Sequence, residues 1–108
     1  MTRSTPYKDY LYSALTDPIK AAEYLNAALE EDDLPTFILA LKDVVEAVGG
    51  GVGNVAQKSN LNRENLYKML SKQGNPRLNS LKQLIHSLGL EMQVVPQKSI
   101  LSDHNNRM

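Results

Sequence analysis

Cysteine and tryptophan are both absent from this 108-residue sequence, and there is a single phenylalanine. Without cysteine there are no disulfides and no thiolate metal sites, which suits a reducing compartment and makes the cytoplasm the default expectation. There is no run of about 18 apolar residues, so no membrane-spanning helix and no membrane partner is expected. The opening MTRSTPYKDY lacks an apolar stretch of signal-peptide type. Histidine is scarce too. His86 and His104 stand far apart, and no serine sits in a context that would activate it. The sequence therefore points away from an enzyme, from a metal site and from any cofactor.

A net charge is also missing: 12 Lys/Arg balance 12 Asp/Glu. The distribution is uneven, however. Residues 1–50 hold Arg3, Lys8, Lys20 and Lys42 against nine acids, a balance of −5. Residues 51–95 hold Lys58, Arg63, Lys68, Lys72, Arg77 and Lys82 against Glu64 and Glu91, a balance of +4. An acidic half joined to a basic half is a signature of a segment that meets a polyanion.

At 42% hydrophobic residues the chain is long enough for one core, and its patterning is helical. Residues 1–16 read as a polar N-terminal arm whose Tyr7, Tyr10 and Tyr12 lie on a groove of the body; the alternative is a tyrosine-rich arm that binds a partner. Asp17-Pro18 is an N-cap followed by proline at the first helical position. Ile19, Ala22, Leu25 and Leu29 then recur at helical steps, predicting an amphipathic helix over 18–31. The run Glu30-Glu31-Asp32-Asp33 contains no histidine and reads as a solvated cluster, with Asp32 or Asp33 capping the next helix. That helix carries Phe37, Leu41, Val44 and Val48 on one stripe, widened by Ile38 and Val45. GGGVGN lacks the Lys-Ser/Thr of a phosphate loop and serves as stop and hinge.

Residues 52–70, VGNVAQKSNLNRENLYKML, carry the functional signal. Ala56, then Asn60 four residues on, then Leu61, Leu66 and Met69 describe two short helices crossing at a sharp turn. The crossing needs a small side chain, and the turn needs a residue that tolerates positive φ. This is the pattern of a DNA-reading helix-turn-helix, with Asn62 capping the second helix. Asn62, Arg63, Glu64, Tyr67 and Lys68 are the candidate base contacts. Arg63 suits guanine O6 and N7, Glu64 cytosine N4, and Tyr67 a thymine methyl. Asn54, Lys58, Ser71, Lys72, Asn75 and Arg77 are the candidate phosphate contacts. The rival reading is a merely solvated cationic helix.

Lys72 to Arg77 reads as a turn. Asn79 or Ser80 is expected to cap a last helix with Leu81, Leu84, Ile85 and Leu88 inward, His86 toward solvent and Gly89 closing it. Leu90 to Val94 alternates apolar and polar as a half-buried strand does. With nothing to pair with in a helical body, it is expected to pair with a second copy, giving a two-fold dimer. Residues 96–108 read as a disordered tail. The expected fold class is all-α: a five-helix repressor-like helix-turn-helix domain over 17–95, with an N-terminal helical extension and a short C-terminal β-strand.

From about Tyr10 to Val95 the chain resembles the addiction-module antidote (antitoxin) proteins of bacterial chromosomes and prophages, HigA-like and within the Cro/repressor-type helix-turn-helix superfamily. The likeness lies in AAEYLNAALEEDDLPTFILALKDVVEAVGG, NVAQKSNLNRENLYKMLSKQGNPRLNSL and LKQLIHSLGLEMQV. Asn60 stands where the superfamily usually has glycine. The resemblance implies a sequence-specific repressor that binds a double-stranded DNA operator as a homodimer. It also implies a partner similar to the RelE/HigB ribonuclease toxins, whose shared operon the antitoxin autoregulates. Two alternatives stay open from the residues themselves: a prophage-derived DNA-binding regulator without a toxin, and a protein-interaction module.

Overall fold

A computed structural model of the chain describes residues 6–48, 50–71 and 74–97. Six helices follow in order: α1 Pro6–Leu15, α2 Pro18–Leu29, α3 Leu34–Val48, α4 Val52–Ser59, α5 Arg63–Met69 and α6 Leu78–Ser87. The fold is all-α, with no strand among the described residues.

The expected N-terminal arm is, from Pro6 on, a helix. Proline at its first position presets φ, and Leu15, 2% exposed, drives it into the core with Leu11 beside it. Tyr7 and Tyr10 point to solvent instead of lying on the body, while Tyr12 is half-buried. Periodicity is thin here, with only Leu11 and Leu15 to mark a face. Helix α1 closes at Thr16, and Asp17 at once caps α2, its carboxylate accepting from the Ile19 amide at 2.9 Å.

Helix α2 turns a different side inward from the one its largest residues predict. Ala21, Leu25 and Ala28 are buried, whereas Ile19 (71%) and Leu29 (58%) are exposed. Two alanines on the inner line let α2 lie close against α1 and α3, and close packing outweighs the bulk of Ile19 and Leu29. Asp32, at φ 53, reverses the chain in the left-handed region. The Thr36 hydroxyl then donates to the Asp33 carboxylate over the first turn of α3.

Helix α3 is the central element. Phe37, Ile38, Ala40, Leu41, Val44 and Val45 are all buried, and α1, α2 and α4 pack on it. Each such Leu or Val contributes roughly 1.5–3 kcal/mol by leaving water. Beyond it, α4 packs on α5 and α6, and all six helices share one core.

Helix α6 starts earlier than expected. Arg77 occupies the N-cap position without a side-chain cap bond, so Asn79 and Ser80 lie inside the first turn. Arg77, Leu78 and Asn79 are exposed, which leaves the uncapped first-turn amides open to water. Leu84, Ile85 and Leu88 point inward, with Leu81 partly buried and His86 exposed. The helix ends on Gly89 at φ 82. The Gly89 amide bonds the His86 carbonyl at 3.0 Å and the Leu90 amide returns to Ile85 at 3.1 Å, the paired bonds of a Schellman stop.

That stop aims residues 90–93 back beside α2, where they line a hollow with Ala22, Leu25, Leu29 and Ile85. The expected strand over Leu90–Val94 is absent: a single segment has no ladder for its N–H and C=O groups. Val94 is fully exposed. Of the expected tail, Pro96 and Gln97 are exposed and non-helical, and the remainder lies outside the described residues.

Candidate nucleic-acid interface

The turn between α4 and α5 has the geometry its residues require. Asn60 ends α4 at φ 64, ψ 19, in the left-handed region. Two residues later the Asn62 side-chain oxygen accepts from the amides of Glu64 (2.8 Å) and Asn65 (3.3 Å), starting α5. Ala56 is buried on α4, which packs on α5, and its small side chain lets the two backbones approach. Ser59 at the end of α4 is buried but satisfied. Its hydroxyl donates to the Ala56 carbonyl (3.4 Å) and accepts from the Leu61 amide (3.3 Å). Leu66 (0% exposed), Met69 and Leu70 fasten α5 to the body.

The opposite side of α5 is open. Asn62, Arg63, Glu64, Tyr67 and Lys68 are all exposed, Tyr67 by 52%. The Arg63 guanidinium lies 5.6 Å from the centre of the Tyr67 ring, an attraction of roughly 0.5–1 kcal/mol at an exposed site. It also rests beside Gly53 of α4, where an added Cβ would stand 3.9 Å from it. The Tyr67 ring and Gly53 thus both lie beside the guanidinium. Glu64, in the first turn, suits the positive end of the helix.

Of the residues expected to meet phosphate, two come together, beside Lys68 of the base-contact set. Lys68, Asn75 and Arg77 line a groove of about 430 Å³ with Asn65, Met69, Pro76 and Ser80. Asn65 was missed in the sequence; its place one turn before Lys68 was the available signal. Gly74 shapes this groove. A Cβ there would clash with the Met69 carbonyl oxygen and stand 2.8 Å from that of Lys68, so only glycine lets the loop lie against the end of α5. The Ser71 hydroxyl donates to the Lys68 carbonyl at 2.8 Å, so its first role is to finish the helix. Lys58 is not part of the groove; it lines a separate hollow with Ser59, Gln83, His86 and Ser87. Asn54 is exposed beside Gly50, and Lys72 lies outside the described residues. No His/Cys/Asp/Glu group fit to hold a metal occurs among the described residues.

The profile of the family described as "Probable addiction module antidote protein" matches residues 7–96, nearly all of α1 and everything through α6. The chain belongs to this antidote family. An uncharacterized protein of Haemophilus influenzae (strain ATCC 51907 / DSM 11121 / KW20 / Rd) is 34% identical over 80 residues, covering 74% of this chain and 80% of that protein. No solved structure matches the chain at comparable stringency.

In this antidote protein the acidic half of the sequence is the α1–α3 half of the fold, and the basic half is α4–α6. The perturbed ionisations fall in the former. Burial raises the Tyr24 phenol, helped by the bond its hydroxyl donates to Asp43 (2.6 Å) and by that carboxylate's charge. Tyr12 is raised by burial and then by Asp43 and Glu46. Membership in an antidote family implies a toxin partner. No helix among the described residues is long and apolar enough to cross a membrane.

Proposed function

We propose that this antidote is a sequence-specific, non-catalytic DNA-binding repressor, the antitoxin of a toxin–antitoxin operon that it autoregulates from the cytoplasm as a homodimer. In this reading α4 and α5 are a helix-turn-helix, and α5 enters the major groove N-terminus first. The observation that carries it is the α5 surface: Arg63, Tyr67 and Lys68 are exposed to solvent while Leu66, Met69 and Leu70 anchor the helix from behind. Asn62 and Glu64 complete the base-reading set. Asn75 and Arg77 hold the phosphates beside it, with Asn54, Lys58, Ser71 and Lys72 as outer contacts. The antitoxin part rests on the family, and the partner is a toxin similar to the RelE/HigB ribonucleases.

Fluorescence anisotropy of duplexes from upstream of the gene, against scrambled duplexes of equal length, tests the reading. Expected are at least roughly 10³-fold preference for the native sequence and a salt slope of about −6 to −10 for a dimer. Arg63→Ala is expected to cost about 1–3 kcal/mol and to relax specificity at one base pair. Equal affinity for native and scrambled duplexes would overturn the assignment.

A further inference from the structure

A second open surface lies on the acidic half. Between α2 and α3 runs a groove of about 240 Å³, lined by Tyr24, Ala27, Ala28, Glu31, Thr36, Leu39 and Ala40. Its floor is alanine. Leu39 stands on its lip, 61% exposed, an apolar side chain that the monomer leaves in water. Each hydroxyl in the lining is tied to a carboxylate: Thr36 donates to Asp33 toward one end of α3, and Tyr24 to Asp43 two turns further along. Glu31 forms part of the wall, and no cation lines the groove. Each carboxylate keeps acceptor capacity beyond the one bond it takes.

The geometry points to this α2–α3 groove as the docking surface for a basic protein partner, the toxin of the proposed operon; the inference rests on that antitoxin reading. Charge decides the occupant. The half of the chain that builds the groove carries a balance of −5, so a second copy meeting it face to face would set carboxylates against carboxylates. DNA is repelled for the same reason. A cationic partner gains on both counts, laying an apolar side chain over Ala27, Ala40 and Leu39 while its Arg or Lys groups reach Glu31, Asp33 and Asp43. Tyr24, held by its bond to Asp43, offers a rigid ring edge of the kind that anchors interfaces. The groove belongs to α2 and α3 and the proposed DNA-reading surface to α4, α5 and the start of α6, so the two share no residue.

The test uses the full-length protein and the purified product of the reading frame adjacent to its gene, titrated by isothermal calorimetry. The variants are Leu39→Lys and Glu31→Lys, both at exposed positions, with Ile19→Lys on another face of α2 as control. Circular dichroism and binding to the upstream duplex check that each variant is folded. Leu39→Lys and Glu31→Lys are each expected to weaken the complex at least roughly tenfold, and Ile19→Lys to leave it within about twofold. If the neighbour binds and Leu39→Lys and Glu31→Lys bind it as the wild type does, the docking surface is wrong and the antitoxin reading stands. If the neighbour binds no variant and not the wild type either, the antitoxin reading falls and the docking surface falls with it.

Discussion

Asn60 is the hinge on which the α4–α5 unit turns, and replacing it should show how much the left-handed backbone there is worth. Its φ of 64 places a side-chain-bearing residue where Cβ crowds the following carbonyl, a penalty of roughly 1–2 kcal/mol for ordinary residues. Asparagine carries less of that penalty because its short amide can bond locally. Asn60→Ala should therefore lose about 0.5–1.5 kcal/mol, and Asn60→Val, stiff at χ1, more than that. Asn60→Gly escapes the crowding but frees the unfolded chain by about 0.4–1 kcal/mol, leaving it close to the wild type. The expected order of stability is Asn and Gly together, then Ala, then Val. Urea unfolding followed by far-ultraviolet circular dichroism measures it, with the m-value unchanged across the series. Each kcal/mol corresponds to about 4–8 °C in Tm for a domain this size. Helix α5 has only seven residues, too few to persist alone, so its amide exchange should quicken in step with the loss. Ala and Val variants as stable as the wild type, with the same m, would refute the claim that a left-handed residue closes this turn.

Other substitutions probe neighbouring features. Gly53→Ala places a Cβ at ordinary contact distance from Arg63 inside α4; it should stabilise the fold by about 0.5–1 kcal/mol, read as a raised urea midpoint. Gly74→Ala forces backbone apart at the end of α5; thermal unfolding should show a loss of at least about 1 kcal/mol, and DNA affinity should fall because Asn75 and Arg77 shift with the loop. The raised Tyr24 phenol makes stability pH-dependent. Above the ordinary tyrosine value of about 10 the unfolded chain ionises while folded Tyr24 keeps its proton, so stability declines as pH rises. Tyr24→Phe should flatten that decline in part, since Tyr12 is raised as well and remains; unfolding midpoints taken at neutral and strongly alkaline pH measure it.

Local chemistry was readable in the sequence and tertiary choice was not. Asp17 before Pro18, Asn60 at the turn, Asn62 as cap and Gly89 as stop each act on their own few residues of backbone, and each sits as its residue type dictates. Helix α3 was equally plain because its stripe is wide and continuous. The inner side of α2 was hidden: Ala21 and Ala28 are selected by how closely neighbouring helices approach, which size-weighted periodicity does not register. Helix α1 was hidden behind exposed tyrosines, with Leu11 and Leu15 alone to mark its face. The segment after Gly89 alternates like a strand, yet a strand depends on a partner elsewhere. In the candidate interface the outward positions of α5 followed from helical spacing. The groove joining Asn65 to Asn75 and Arg77 depends on where Gly74 lays the loop, a distance no spacing rule contains.

The opposite charges of the two halves have an effect beyond any single contact. With 12 cationic and 12 anionic side chains the molecule feels no net pull in a uniform electric field. Its minus-five and plus-four ends nonetheless make it an electric dipole, and near a polyanion such a body experiences torque before it experiences attraction. In the proposed DNA-binding role it would arrive already turned, α4–α6 leading and α1–α3 trailing. Salt confines that torque to a Debye length, about 8 Å at physiological ionic strength, so encounter rates should drop more steeply with salt than those of a protein whose charges are evenly mixed.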